Sequence, residues 1–379
     1  MTTLRVIIDE MLSPTAGGAG RYTEELTREL ILAAPRGCYV EAFVSASTEE
    51  DYATIAERLP GLETLHKSSL ARRELRSAWQ HGFTRLPGTG MVHATSLLAP
   101  LARHDRLNDG DQIAVTFHDA LAWTNPESLS PRTVSWHKGM AKRAERYADA
   151  VVAPSHAVAD QLADLLDLGD RIRVISGAAS SRLKPGNDAD ERAAGLALPS
   201  RYVLAIGSLE ARRGIDQLVR AMKHIDDDVQ LLIIGPHGDD PDLLAVVAET
   251  GLREGRVRGF GPVSDENLAV MLDRANVFAY PNLEEGFGMP VLEAFALGTP
   301  VVHSDAPALL ELAADAGVPV ERGERGDDAE YPERLAVAIS SVLNDSQLAE
   351  RLRYSGEDRA RAYNWRNSAE KVWQLHADL

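Results

Sequence analysis

The feature that most constrains this chain is an alternation, kept up along its length, of short apolar runs with stretches of helical period. Residues 4–9, 40–44, 112–117, 150–153 and 172–175 read as strands, and a helical pattern covers about 21–33. After residue 176 the alternation stops over a polar stretch holding Pro185, Gly186 and Asn187, which has the composition of a linker. It then restarts, with strands predicted at 202–206, 229–234, 276–280 and 300–303 and helices at 215–222, 241–250 and 290–297. Strands alternating with helices imply parallel sheets with crossover helices. The expected fold is α/β, with two doubly wound, Rossmann-like domains. The first covers 1–177, the linker 178–200 and the second 201–363. Trp365, Ala369, Val372 and Trp373 make one apolar stripe on a final helix, 364–379, which either caps the second domain or crosses back to brace the first. The brace is the reading adopted. A length of 379 residues suits two domains.

Several classes are excluded. A net charge of −17 argues against general nucleic-acid binding. No apolar run approaches the ~20 residues of a membrane span, and residues 1–8 lack a signal-peptide core. The single cysteine, Cys38, can form no internal disulfide and no cysteine-based metal site, which suits a cytoplasmic setting. Two local basic segments run against the acidic total. Residues 66–85 and 131–146 carry ten lysines and arginines interleaved with Trp79, Phe83 and Trp136. Their plain reading is a solvated helix face. The alternative is peripheral contact with anionic lipid at the inner face of the membrane.

Four places carry chemistry. Residues 284–294, EEGFGMPVLEA, follow a strand and open a helix. Gly286 and Gly288 permit close backbone approach, Pro290 suits a first helical turn, and the helix start offers unpaired N–H groups to an anion. Glu285 and Glu293 flank that anion site, as a sugar, a diphosphate and a ribose would require. The bland reading is an ordinary helix with acids near its positive end. Residues 207–214, GSLEARRG, place Arg212 and Arg213 where a strand's carboxyl end meets a helix, the ligand edge of an open α/β sheet. Their forks suit phosphate, although two solvated arginines would look the same. Gly17 and Gly18 precede the first helix in a loop too long for a dinucleotide fingerprint, and with Thr23 at the third glycine position; a loop reaching over a phosphate fits better. His118, in TFHD at a strand end, can meet a ligand or simply be satisfied in a polar loop; His93 makes a weaker claim. Asp226, Asp227 and Asp228 invite a metal reading but lie between a helix and the next strand, where a solvated turn is the better account.

With these residues in view, the chain resembles the family 4 glycosyltransferases, retaining enzymes of the GT-B fold with two domains facing across a cleft. EGFGMPVLEA, 285–294, matches the family's donor motif of two glutamates separated by seven residues, and GTPVV, 298–302, matches its next strand entry. The resemblance implies that Glu285 sits by the donor sugar and Glu293 binds the ribose. Phe287, Gly288 and Met289 would offer backbone N–H groups at the helix start near Pro290. Arg212 and Arg213 would grip the diphosphate, although Arg213 replaces the family's usual lysine and Ala211 its proline. His118 would stand near the reacting sugar, Gly17 and Gly18 by the diphosphate. Ser155 matches a common family serine. At 175–179 the asparagine–glycine turn of many members is missing. The activity implied is transfer of a hexosyl group from a nucleotide sugar to a glycan or lipid-linked acceptor, without a metal or other cofactor. HDALAW and RYADAVVAPSH resemble mannosyltransferase-like members, which places GDP-mannose ahead of a UDP-sugar. A sugar-nucleotide epimerase and a non-catalytic sugar-nucleotide binder are the competing classes.

Overall fold

The computed structural model describes residues 2–13, 18–86, 88–105, 110–323 and 329–379. The chain divides into two compact units, Met1–Gly177 with Asn364–Leu379, and Ala178–Tyr363.

The first unit is built on seven parallel strands: β1 Thr2–Ile7, β2 Cys38–Ala46, β3 Thr64–Ala71, β4 Met91–Ala94, β5 Gln112–Thr116, β6 Ala150–Ala153 and β7 Ile172–Val174. Their order is β3-β2-β1-β4-β5-β6-β7. Sequence order reverses between β1 and β4, so the carboxyl ends of these strands form the crevice where such sheets bind ligands. Burial on both faces explains the nearly unbroken apolar runs of the central strands. On one face Ile7, Val92, Ile113 and Val115 pack with Trp79 of the helix Arg72–His81 and with Trp136 and Met140 of the helix Pro131–Tyr147. Ser130 caps the latter helix by accepting from Thr133 N–H, and Pro131 needs no donor there.

The second unit repeats the design with six parallel strands: β8 Tyr202–Ile206, β9 Gln230–Ile234, β10 Val257–Gly259, β11 Val277–Tyr280, β12 Val301–Ser304 and β13 Val318–Val320. The order is β10-β9-β8-β11-β12-β13, with its switch point between β8 and β11. Val203, Leu231, Ile233 and Val277 meet the helices Ile215–Ala221 and Tyr331–Asn344. The polar stretch expected to link the domains is not all loop, since Ala189–Gly195 is a helix of this unit that packs on the helix Asp265–Asp273. Asp226–Asp228 form an ion-paired turn before β9. Asp227 meets the buried Arg256 at 2.6 Å and Asp228 meets Arg201 at 2.7 Å, so arginines hold the carboxylates a metal would need. Among the described residues no helix is long and apolar enough to cross a membrane.

The final helix, Trp365–Asp378, packs within the first unit against the helix Gly18–Leu32. Trp365, Ala369, Val372 and Trp373 are all buried. Trp373 Nε1 donates to Leu30 O at 3.1 Å, and Ser368 Oγ to Ser176 O at 2.6 Å. His376 Nδ1 meets Gln112 Oε1 at 3.1 Å, and its ring stands edge-on to His93, 5.6 Å between centroids. The ring nitrogens of His93 are buried without a partner. Burial, then the neighbouring His376, pushes His93 down to about 3, and burial pushes His376 down to about 4. Both are therefore neutral in the fold but take up protons in the unfolded chain near 6.5. Their stabilisation is complete above that value and is lost as pH falls toward 4 and then 3. The slope below pH 6.5 is about 1.4 kcal/mol per pH unit for each histidine. Urea unfolding at pH 7 and pH 5 is expected to show a decline to which both contribute, and His93→Phe is expected to reduce its slope by one histidine's share, about 1.4 kcal/mol per pH unit; an unchanged slope in the variant would refute the assignment.

Candidate active site

In the second unit the candidate residues come from two loops at the carboxyl ends of β8 and β11. The β8 loop makes one turn of 3-10 helix, Ala211–Arg213, before the helix Ile215–Ala221. Gly214 joins the two with φ +62°, and a Cβ there would stand 2.4 Å from Pro281 O. A side chain would thus be both strained and in collision with the second loop. The loops are stitched by Leu283 N–H donating to Arg212 O at 2.7 Å.

Across this junction the carboxylate of Glu285 is fixed. Its Oε2 accepts from Tyr280 Oη at 2.7 Å, Asn282 Nδ2 at 2.8 Å and Arg213 Nη1 at 3.1 Å, while Oε1 accepts from Gly286 N–H at 3.0 Å. Tyr280 is held far above its ordinary phenol range by burial and then by the Glu285 charge, so it remains a donor. Tyr280 and Asn282 were not among the residues expected at the site. Tyr280 ends an apolar strand and reads as core, and Asn282 reads as a turn residue.

Arg212 turns outward to Glu210, 2.7 Å away, yet its Nε is buried without a partner. A buried guanidinium N–H with no acceptor is suited to an incoming anionic oxygen. After Glu285 the chain enters the helix Met289–Ala296 through Gly288 at φ +96°. A Cβ at Gly288 would lie 2.6 Å from Leu309. No side chain caps this helix start, and Pro290 occupies its first turn. Phe287 and Met289 are buried, and so is Glu293, one turn further on, at 1 % exposure. Phe287 packs edge-on against Tyr363.

In the first unit His118 follows β5. Its Nε2 lies 2.8 Å from Thr95 O. A carbonyl only accepts, so Nε2 carries the proton, and burial lowers the pKa. The ring is therefore neutral, with Nδ1 free to serve as an acceptor toward a ligand hydroxyl. Tyr22 stands edge-on to this ring at 4.9 Å and to Trp365 at 5.5 Å, so the final helix helps to place His118. Gly18 is the first residue of the helix Gly18–Leu32, which starts earlier than the pattern predicts. Gly17 lies outside the described residues. Ser155 caps the helix His156–Leu165 through Val158 N–H, and His93 is the buried partner of His376 rather than a ligand group.

The two basic segments are helical as expected over 72–81 and 131–146, but their start is strand and their tryptophans do not face solvent. Residues 64–71 are β3, and Trp79 and Trp136 are buried in the core. Arg76 lies over Trp136, 3.9 Å from its centroid, and Arg72 pairs with Glu10 at 2.9 Å. Phe83 alone of the three aromatics is exposed.

Residues 16–179 match the family described as Glycosyltransferase Family 4, and residues 187–359 match Glycosyl transferases group 1. The chain is 28% identical over 271 residues to an O-antigen chain mannosyltransferase B of Escherichia coli, covering 68% of each. It is also 28% identical to a D-inositol 3-phosphate glycosyltransferase of Xylanimonas cellulosilytica, over 98% of this chain and 94% of that one. In fold it matches HepE of Anabaena, solved in complex with UDP and glucose, with a TM-score of 0.74, 19% identity and full coverage of both chains.

Gly214→Ala tests the junction. The strained φ and the collision with Pro281 O are expected to cost about 1–3 kcal/mol in urea unfolding and to lower activity more than Ala197→Gly, a change at a second positive-φ residue of the same unit. Wild-type stability in Gly214→Ala would show that the junction is not rigid.

Proposed function

The chain belongs to the glycosyltransferases, family 4 in its first unit and group 1 in its second, and we propose that it moves a hexosyl group from a nucleotide sugar to an acceptor hydroxyl with retention of configuration. The observation that carries this reading is the fixed Glu285 carboxylate beside two arginines and an uncapped helix start. The leaving nucleotide diphosphate gains negative charge as the sugar departs. Arg212, Arg213 and the N–H groups at the Met289–Ala296 helix start supply preorganised stabilisation for it. Glu285 orients the sugar by accepting from a hydroxyl through Oε1, and Glu293 binds the ribose. The three donors on Oε2 and the Gly286 N–H on Oε1 draw charge from the Glu285 carboxylate and make it a weaker nucleophile. Front-face transfer, in which the departing phosphate helps take the acceptor proton, suits the site better. In that scheme the arginines do the work of charge stabilisation and the reaction needs no metal.

GDP-mannose is the preferred donor, supported by the mannosyltransferase among the relatives; the UDP and glucose bound by HepE favour a UDP-sugar as the second reading. The acceptor is a glycan or a lipid-linked glycan, handled by a cytoplasmic enzyme. Peripheral contact with the inner membrane face would use the basic residues of 66–85 and 131–146 together with the exposed Phe83.

Glu285→Gln is expected to lower kcat about 10²-fold, the scale of losing one preorganised polar group, with the fold intact by circular dichroism. Turnover at the wild-type rate would sink the role given to Glu285. Thermal unfolding with excess GDP, UDP and ADP in turn identifies the base. A ligand at a hundredfold its dissociation constant stabilises by ~2.7 kcal/mol. Stabilisation by GDP alone supports the mannosyl donor, stabilisation by UDP alone replaces it with a UDP-sugar, and none with any of the three rejects the site.

A further inference from the structure

The main chain just before Glu285 is held from behind by three side chains, none of which bonds to the Glu285 carboxylate. Pro281, Asn282 and Leu283 follow β11, and each of their carbonyls accepts a hydrogen bond from a later segment. Tyr331 Oη, at the start of the helix Tyr331–Asn344, donates to Pro281 O at 3.2 Å. Ser304 Oγ, at the end of β12, donates to Asn282 O. Arg322 Nη1, two residues past β13, donates to Leu283 O. Carbonyls that leave a strand can be satisfied by water as well as by protein. Here three in succession are taken by side chains, which fixes the path of the loop.

The supports are themselves fixed. Ser304 and Tyr331 are wholly buried. The one proton of Ser304 Oγ goes to Asn282 O, and the same oxygen accepts from Ala306 N–H at 3.3 Å. Burial holds the Tyr331 phenol above its ordinary range, so it stays a donor. Asp305, beside Ser304, accepts from Arg322 Nε and, at 3.2 Å, from Arg322 N–H. The end of β12 therefore holds the loop twice, directly through Ser304 and through Arg322 by way of Asp305. Asn282 is where this matters. Its Nδ2 donates to Glu285 Oε2 at 2.8 Å, while its Oδ1 is buried without a partner. The amide is tethered at the Glu285 end alone, so its main chain decides where it points.

We propose that Ser304 and Tyr331 are positioning residues for the donor sugar: acting through the main chain of 281–283, they hold Asn282, and with it the Glu285 carboxylate, where a sugar hydroxyl is met. This rests on the sugar-orienting role given to Glu285. A functional group is aimed only as well as the shell behind it is fixed, and a carboxylate already in place need not reorganise when the sugar arrives. The clamp acts on the sugar end of the donor. The arginine loop keeps a turn of its own, with Arg213 N–H donating to Glu210 O at 2.8 Å and Gly214 N–H to Ala211 O at 3.1 Å, so the phosphate end retains its geometry when the clamp is loosened.

Calorimetry on the full chain tests this with two pairs of probes, GDP-mannose with GDP and UDP-glucose with UDP. The quantity read is the dissociation constant of the sugar nucleotide divided by that of its nucleoside diphosphate. Glu285→Gln is expected to raise this ratio about tenfold, the scale of one hydrogen bond to a charged group, and Ser304→Ala and Tyr331→Phe about threefold to tenfold. Neither should raise it further in the Glu285→Gln background, as a double-mutant cycle requires of residues that act through Glu285. Tyr331→Phe keeps its ring in the core and decides the matter if Ser304→Ala does not fold. Tyr202→Phe removes a comparable buried bond, Tyr202 Oη to Met271 O at 2.7 Å, at the amino end of β8, and should leave the ratio at its wild-type value. An unchanged ratio in Tyr331→Phe, an equal loss of affinity for the nucleoside diphosphate, a further rise in the Glu285→Gln background or a raised ratio in Tyr202→Phe would each overturn the positioning role and leave that of Glu285 standing. An unchanged ratio in Glu285→Gln would instead overturn the sugar-orienting role and this proposal with it, and binding of neither pair would reject the donor site and both roles.

Discussion

The arrangement of the second unit's site depends on how the charge of Glu285 is satisfied. A carboxylate at the end of a buried strand needs donors, and three converge on one of its oxygens from Tyr280, Asn282 and Arg213. Two of the donors come from the same segment as Glu285, and the third comes from the loop after β8. Meeting one charge therefore fixes the two loops to each other. The main-chain bond from Leu283 to Arg212 and the close pass of Gly214 over Pro281 O reinforce this connection. Arg212 is carried along by its neighbours, and its buried Nε is held without a protein acceptor. Rigidity of this kind is what electrostatic catalysis requires, because dipoles already in place need not reorganise as charge develops.

The first unit solves a different problem with aromatic packing and histidine tautomers. His118 is held neutral by burial and oriented by the Thr95 carbonyl, and Tyr22 and Trp365 back its ring. Trp365 begins a helix that follows 186 residues of the other unit in sequence yet packs here. The contact makes the ring placement depend on the end of the chain. The same helix carries His376, whose buried pairing with His93 makes its docking sensitive to acid. Neutral imidazole is thus a condition of both the site geometry and the anchoring of the helix.

How much of this could be read from sequence follows from what burial does to a pattern. Most central strands are apolar on both faces and stand out as runs, so the doubly wound class was legible, whereas the central β4, MVHA, is too short to make a run. Edge strands β3, β10 and β13 were not, because TLHKSSLA, VRG and VPV are short or polar where one side of the strand meets solvent. Glu285, Arg213 and Gly288 were legible through loop and helix-start chemistry. Tyr280 was hidden because a buried tyrosine looks like core until its hydroxyl finds a partner. Trp79 and Trp136 erred in the other direction. Aromatics among basic residues suggest a lipid surface, but both rings point into the core, and their arginine neighbours stack on them or pair with acids.

The two sheets share a topology but put it to different uses, and the difference lies in the crossovers. In the second unit the connection from β11 to β12 is a short loop and one buried helix of eight residues. Six of its residues, Met289, Val291, Leu292, Glu293, Ala294 and Phe295, are buried, and its start follows directly on the Glu285 segment that Arg213 contacts. In the first unit the described part of the β4 to β5 connection, 95–105 and 110–111, runs without a helix. A tightly filled crossover makes a precise site from few residues. A fold that repeats one topology twice can therefore present polar groups at the carboxyl edges of both sheets, Glu285 with Arg213 in the second unit and His118 in the first, with no change in strand order.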